Sequence, residues 1–285
     1  MKTRILPLSI SVSAFLAFSA LSAPLGAVEI TTTSDATVLS NALVAPDSGI
    51  TVVNSSYIGA ANASGLFTAG GNIGIDSGVL LTSGSAVGAI GPNNSGSFTV
   101  ANNTAGDAAL SALAGGPTFD ASSLLLDFTT NTGSISFSFV FASEEYQEFV
   151  GSAFNDVFAF FVNDQNIALI PGTTTPIAIN TVNQNLNTQF YRSNLNSSIN
   201  TQYDGLTTVL TVGLSGLSTT QVNSLRFAIA DTADLILDSG VFIQGNVTSL
   251  PPTEIPEPST LPVTLTLGGF LAAGVLLKRF RTHRA

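Results

Sequence analysis

Ser134 to Ala142 alternates in a way that predicts a β-strand. Ile135, Phe137, Phe139 and Phe141 fall at one parity, and Ser134, Ser136, Ser138 and Val140 at the other. Successive side chains of a strand point to opposite faces, so this stretch presents one apolar face and one mostly polar face. Val157–Val162 is apolar at both parities and predicts a strand covered on both sides. Leu225–Ala230 and Gly240–Gln244 predict further strands, as do Ser122–Thr129 and Thr207–Val212. Two short helices are expected. Asp35–Val44 places Ala36, Leu39, Leu43 and Val44 at helical spacing, with Asp35 or Ser34 as the cap, and Gly106–Ala114 carries Leu110 and Leu113 on one side. Turn residues recur at short intervals between these runs. The expected fold is therefore mainly β: one antiparallel β-sandwich, jelly-roll-like, over residues 28–248.

The two ends follow different rules. Lys2 and Arg4 precede an apolar run from Ile5 to about Leu21 and a small-residue site. That order predicts a signal peptide over residues 1–27, cut after Ala27. At the other end, residues 249–260 form a Pro-rich linker. Leu261–Leu277 follows, uncharged and mostly apolar. Its 17 residues sit at the lower end of the ~17–25 that span a bilayer as a helix. Residues 278–285 form a basic tail, in which Lys278, Arg279, Arg281 and Arg284 should stay cytoplasmic and leave the body across the membrane.

Charge narrows the chemistry. The chain has 18 acidic and 8 basic residues, and Arg192 and Arg226 are the only bases between the terminal groups. Over Val28–Ile255 there are 17 acids against 2 bases, a formal charge of −15. A nucleic-acid partner is excluded, because nothing there neutralises phosphates. The single histidine, His283, lies in the basic tail, and there is no cysteine. Cys/His zinc sites, Ser-His-Asp and Cys-His catalysis and disulfides are all excluded from the body. Without lysine there is no P-loop and no Schiff base.

Two resemblances add to this. Pro256, Glu257 and Pro258, followed by a short apolar segment and Arg-rich residues, resemble the PEP-CTERM sorting signal. That resemblance implies export by the secretion machinery and signal peptidase in a Gram-negative bacterium. It also implies transient anchoring in the inner membrane, processing by an exosortase-type membrane enzyme, and release to the surface or extracellular matrix. The second resemblance lies in the body. Phe141-Ala142-Ser143-Glu144-Glu145-Tyr146, Phe154-Asn155-Asp156-Val157-Phe158, Tyr203-Asp204-Gly205, Ala228-Ile229-Ala230-Asp231 and Asp238-Ser239-Gly240-Val241-Phe242 are similar to the choice-of-anchor L domain. Asp76-Ser77-Gly78-Val79-Leu80-Leu81-Thr82 continues the match upstream.

The acids gather in those same segments. Counting in twos from Ile135, Glu145 keeps the core-facing parity and Glu144 points the other way. Counting from Leu225, Asp231 falls on the Phe227 side. Inward-facing charge must be neutralised, and two arginines can pair few acids. Hard oxygen donors without His or Cys suit Ca²⁺. The candidate ligands are Glu145, Asp156, Asp231, Asp234 and Asp238; the competing reading is that these acids cap turns and keep the protein soluble. A glycan-active hydrolase built on carboxylates is the third choice, because neighbouring Glu144 and Glu145 face opposite ways. Asn183–Gln202 holds six Asn and three Gln and reads as a surface loop, with a sugar-binding loop as the sharper alternative. Tyr191 inside it is the best exposed aromatic for glycan contact. The leading functional expectation is a non-catalytic extracellular matrix or biofilm protein, Ca²⁺ being its one expected cofactor, ahead of a carbohydrate-binding module for exopolysaccharide.

Overall fold

In a computed structural model that describes residues 27–249, the alternation of Ser134–Ala142 becomes strand β6 (Ser134–Ser143), the centre of an eight-stranded antiparallel sheet. The strand order is β1 (Glu29–Thr32), β3 (Ser64–Thr68), β4 (Gly78–Thr82), β13 (Ser239–Gln244), β6, β10 (Gly205–Thr207) and β9 (Tyr191–Ser193). β11 (Leu210–Ser215) also pairs with β6. A second antiparallel sheet runs β2 (Ile50–Ile58), β5 (Thr118–Thr130), β12 (Asn223–Thr232), β7 (Val157–Val162) and β8 (Gln165–Asn166). The signal segment 1–27 and the linker 249–260 lie outside the described residues save for Ala27 and Ser249, and the apolar segment 261–277 and the tail 278–285 lie wholly outside them. Among the described residues no helix is long and apolar enough to cross a membrane.

The two sheets pack face to face through the phenylalanines that the alternation set at one parity. Phe137 meets Phe160 at 5.1 Å and Phe227 at 5.1 Å, edge to face. Phe139 meets Phe160 at 4.8 Å, and Phe141 stacks on Phe158 at 4.8 Å. Edge-to-face and offset arrangements suit the ring quadrupoles and add to simple burial. β6 contributes one sheet's rings and β7 and β12 the other's, so a phenylalanine cluster sits within an otherwise largely aliphatic core.

Both outer faces are also covered, which explains strands that are apolar at both parities. On the five-stranded sheet, Val157, Ala159, Phe161, Ala228 and Ala230 pack under Leu110 of helix α2 (Ala108–Ala114). On the eight-stranded sheet, Val140, Ala142, Leu206 and Phe242 pack under Ile73, Ile75, Ala86 and Ile199 from the connecting loops. Helix α1 (Ala36–Leu43) is capped by Asp35, whose carboxylate accepts from the Thr37 and Val38 amides at 2.8 and 3.2 Å. α2 is capped in the same way by Asp107.

Two expectations change. Thr207–Val212 is not one strand: it breaks at Thr208–Val209 into β10 and β11, which pair in succession with different stretches of β6. The Thr208 amide donates instead to the Phe190 carbonyl, and Val209 is exposed. The long polar segment 183–202 is only in part a surface loop. Asn183, Asn194 and Gln202 are buried, and Asn194 ties the segment to itself through the carbonyls of Thr201 and Tyr203 and the amide of Ile199.

Candidate functional site

Strand registers bring the acids to one end of the sandwich in two ranks. In the eight-stranded sheet, Ser143 is paired with Ser239 on one side and Gly205 on the other. One step further along, Glu144 is flanked by Asp238 and Asp204, all three at the outer parity of Val140, Phe242 and Leu206. In the five-stranded sheet, Val157 pairs with Ala230. The next step sets Asp156 across from Asp231, both at the inner parity of Phe158 and Ile229. Like charges directly opposite each other on neighbouring strands repel.

The inner rank is bound into the core. Asp156 accepts the Thr232 amide at 2.9 Å and the Ser239 hydroxyl at 2.7 Å, so one carboxylate joins the two sheets. Burial pushes Asp156 up to about 7, against those two hydrogen bonds. Asp231 is fully buried and neither carboxyl oxygen has a partner at hydrogen-bond geometry, although the Ser83 hydroxyl lies near enough to temper its charge. Its burial, and then the charge of Asp156, hold it well above the usual carboxylate range. A close pair of this kind ionises in two steps that belong to the pair and shares one proton over a broad range. Glu145 is buried beside them and pushed up to about 9, by burial first and then by Asp156, Asp234 and Glu148.

The outer rank is covered by the segment Gly91–Val100. Burial, then Asp204 and Asp238, push Glu144 up to about 9. Neither oxygen of Glu144 has a partner at hydrogen-bond geometry, although the Phe98 amide and Gln202 lie near enough to temper its charge. Asp204 accepts from the Asn93 amide at 2.6 Å through one oxygen, while the other has no partner. Its burial raises it to about 6. Asp238 takes the Val100 amide at 3.0 Å, and burial raises it to about 7. Gly84 passes so close to Asp238 that a Cβ there would lie 1.7 Å from Oδ2, so only glycine fits.

Neither arginine reaches these acids. Arg226 pairs with Asp107 at 2.6 Å and lies over the Phe161 ring, and Arg192 donates to the carbonyls of Ile73 and Asn72.

Of the five candidate ligands, Glu145, Asp231, Asp234 and Asp238 all lie near enough to Asp156, or to one another, to interact by charge. Asp234 is half-buried and accepts its own turn's Ile236 amide at 3.1 Å. Among the described residues no three His, Cys, Asp or Glu side chains are grouped so as to hold a metal ion. Glu144 and Asp204, which parity counting left out, carry three of the buried oxygens without partners. Register, which the sequence does not show, is what sets them side by side. Tyr191 does not stand free: it is half-buried, with its ring 5.0 Å from that of Tyr146 and its hydroxyl accepting from Gln147 at 3.2 Å.

A family model for the Choice-of-anchor L domain matches residues 27–249. The chain belongs to this family. The match covers the whole described body, and the segments that resemble the domain are those that build the acidic end: Ser143-Glu144-Glu145-Tyr146, Asn155-Asp156, Asp204-Gly205, Asp231 and Asp238-Ser239-Gly240. In this Choice-of-anchor L domain the glycines have a packing reason. A Cβ at Gly205 would meet the Tyr146 ring at 2.7 Å, and one at Gly240 would meet the Tyr203 hydroxyl at 2.4 Å. No curated protein and no solved structure matches the chain.

Proposed function

We propose that this chain is an exported, surface-associated, non-catalytic protein of the extracellular matrix, its Choice-of-anchor L domain delivered by the signal segment 1–27 and sorted by the C-terminal segment around Pro256-Glu257-Pro258. The family match over residues 27–249 carries this reading. The chemistry of the body supports it. There is no His, Cys or Lys between the terminal basic groups. The acids that could act as a catalytic pair are buried, and Glu144 and Glu145 face different neighbours, Asp204 and Asp238 for the first and Asp156 for the second. A general acid must reach the proton it transfers, and these carboxyl groups are shut away from the surface.

Cell fractionation in the native host tests the proposal. The body should appear in the surface or released fraction. Replacing Pro256, Glu257 and Pro258 with alanine should leave it in the inner membrane. A body that stays soluble inside the cell would overturn it.

A second reading has one observation of its own. A groove of about 590 Å³ at the end of the paired strands β2 and β5 is lined by Asp47, Gly49, Ile50, Thr51, Thr129, Thr130, Asn131 and Thr219. Hydroxyl, amide and carboxylate groups in a shallow groove suit a polysaccharide, which would make the domain a carbohydrate-binding module. A glycan array on the purified protein separates the two readings, and Asn131→Ala should remove any signal that arises there.

A further inference from the structure

We propose that a hard divalent cation of the calcium class binds between Glu144 and Asp204, under the segment Gly91–Thr99. The registers that pair Ser143 with both Ser239 and Gly205 make Glu144 and Asp204 cross-strand neighbours on one face. Each is only 1 % exposed. Both oxygens of Glu144 and Oδ2 of Asp204 lie buried without a hydrogen-bond partner. Buried carboxylates without partners are costly, and a fold usually meets them with a base, with amide donors, with protons or with a metal.

A base is excluded here, since Arg192 and Arg226 are held elsewhere. Amide donors serve only part of the site: Asn93 reaches one oxygen of Asp204, the Phe98 amide and Gln202 approach Glu144 without hydrogen-bond geometry, and the Val100 amide is taken by Asp238. What remains is protonation or a metal, and the neutral oxygen groups beside the two carboxylates suit the metal. Asn93 lies against Asp204, and Gln202 donates to the Ser95 carbonyl at 2.8 Å, so the covering segment and the Asn/Gln-rich segment meet over the pair. Carboxylate, amide and carbonyl oxygens form the donor set that calcium takes and that softer metals do not. Two carboxylates with neutral oxygens also agree with the finding that no three acidic side chains are grouped for a metal.

The inner rank is a different case. Asp156 already has the Ser239 and Thr232 donors, and its neighbour Asp231 can share its proton. The cation therefore belongs to the outer rank, and of the five acids read from the sequence as ligands only Asp238 borders it. Cation binding at this point is independent of where the body is sorted and of any glycan in the β2 groove.

The test is calorimetric titration of the intact chain, purified in detergent and stripped with EGTA, with CaCl₂. One Ca²⁺ per chain should bind, at ~10⁻⁴–10⁻³ M or tighter, the range of extracellular calcium modules. Glu144→Gln and Asp204→Asn should each weaken binding at least tenfold, while Asp231→Asn binds as the parent does. Thermal melts give the second readout. The parent should melt higher in millimolar Ca²⁺ than in EGTA, and Glu144→Gln should melt at one temperature in both. If Glu144→Gln does not fold, Asp204→Asn decides. No heat and no melting shift up to about 10 mM Ca²⁺ would overturn the proposal. So would binding lost in Asp231→Asn but kept in both outer-rank variants, which would move the ion to the inner rank.

Discussion

Asp156 and Asp231 lie across from one another on adjacent strands, one residue beyond the Val157–Ala230 pair, with both carboxyl groups inside the sandwich. Asp156 also holds the facing sheet through the Ser239 hydroxyl at 2.7 Å. The same end of the fold thus joins the two sheets and concentrates charge that the core does not solvate.

This relationship makes stability depend on pH in an unusual direction. Asp156 and Asp238 are raised to about 7, and Glu144 and Glu145 to about 9, in each case first by burial. The folded protein therefore holds protons that the unfolded chain releases near pH 4. These groups contribute stability that is complete below the unfolded values and is lost as pH rises through the folded ones. Calorimetric melts in EGTA should fall steadily from pH 5 to pH 9. A melting temperature that rises over that range would contradict the assignment. Asp231→Asn should flatten the fall, because it removes one of the buried carboxyl groups that burial and Asp156 hold above the usual range.

Phe160 is the ring on which the two sheets meet. It touches Phe137, Phe139, Phe158 and Phe227 at 4.8–5.3 Å between centroids. Phe160→Ala should cost ~3–5 kcal/mol of stability, the usual range for an aromatic deleted from a packed core. Urea unfolding monitored by far-ultraviolet circular dichroism measures it.

Asp107 has two tasks that can be separated. It caps α2 through the Ala109 and Leu110 amides at 2.9 and 3.0 Å, and it pairs with Arg226. Burial alone would raise its carboxyl, but the Leu110 amide and Arg226 outweigh that and hold it below the usual range. Asp107→Asn keeps a capping oxygen and loses the ion pair, so its cost should be a fraction of that of Asp107→Ala. The alanine variant also loses the cap, at ~1 kcal/mol. Urea midpoints of the two variants check the order.

Asn194 is fully buried, and its side chain makes two hydrogen bonds inside the Asn/Gln-rich segment and a third to the Tyr203 carbonyl just after it. Asn194→Ala strands the Ile199 amide and the Thr201 and Tyr203 carbonyls. Each buried group left without a partner costs ~1–3 kcal/mol. Amide hydrogen exchange should speed up over residues 194–204 well before the β6–β7 core responds. Unchanged exchange there would show that the segment is held by other contacts.

Much of the architecture was legible in the chain. The alternation of Phe137, Phe139 and Phe141 defined β6 and its inner face. The two-sided apolarity of Val157–Val162 announced a strand covered on both sides, and Asp35 announced the start of α1. Strands β1, β2, β3, β4, β8 and β9 were not legible. β2 is a mixed polar run, and the others are two to five residues long, too short for a period to show. The break between β10 and β11 was hidden for a related reason, since both pieces belong to one apolar run and only their pairing with β6 separates them.

Local pattern therefore determined element type, the inward parity of Phe137, Glu145 and Asp231, and the shortage of bases that excludes whole classes of chemistry. These properties depend on neighbours in the chain and on composition. Only the tertiary structure decided that Glu144 lies beside Asp204 and Asp238, that Asp156 faces Asp231, and that both arginines are occupied elsewhere. The acid pairings depend on strand register between residues 60 to 94 positions apart, and the arginine contacts on residues 119 and 120 positions apart. Register is set by the packing of whole faces against each other, and no local period along the chain records it.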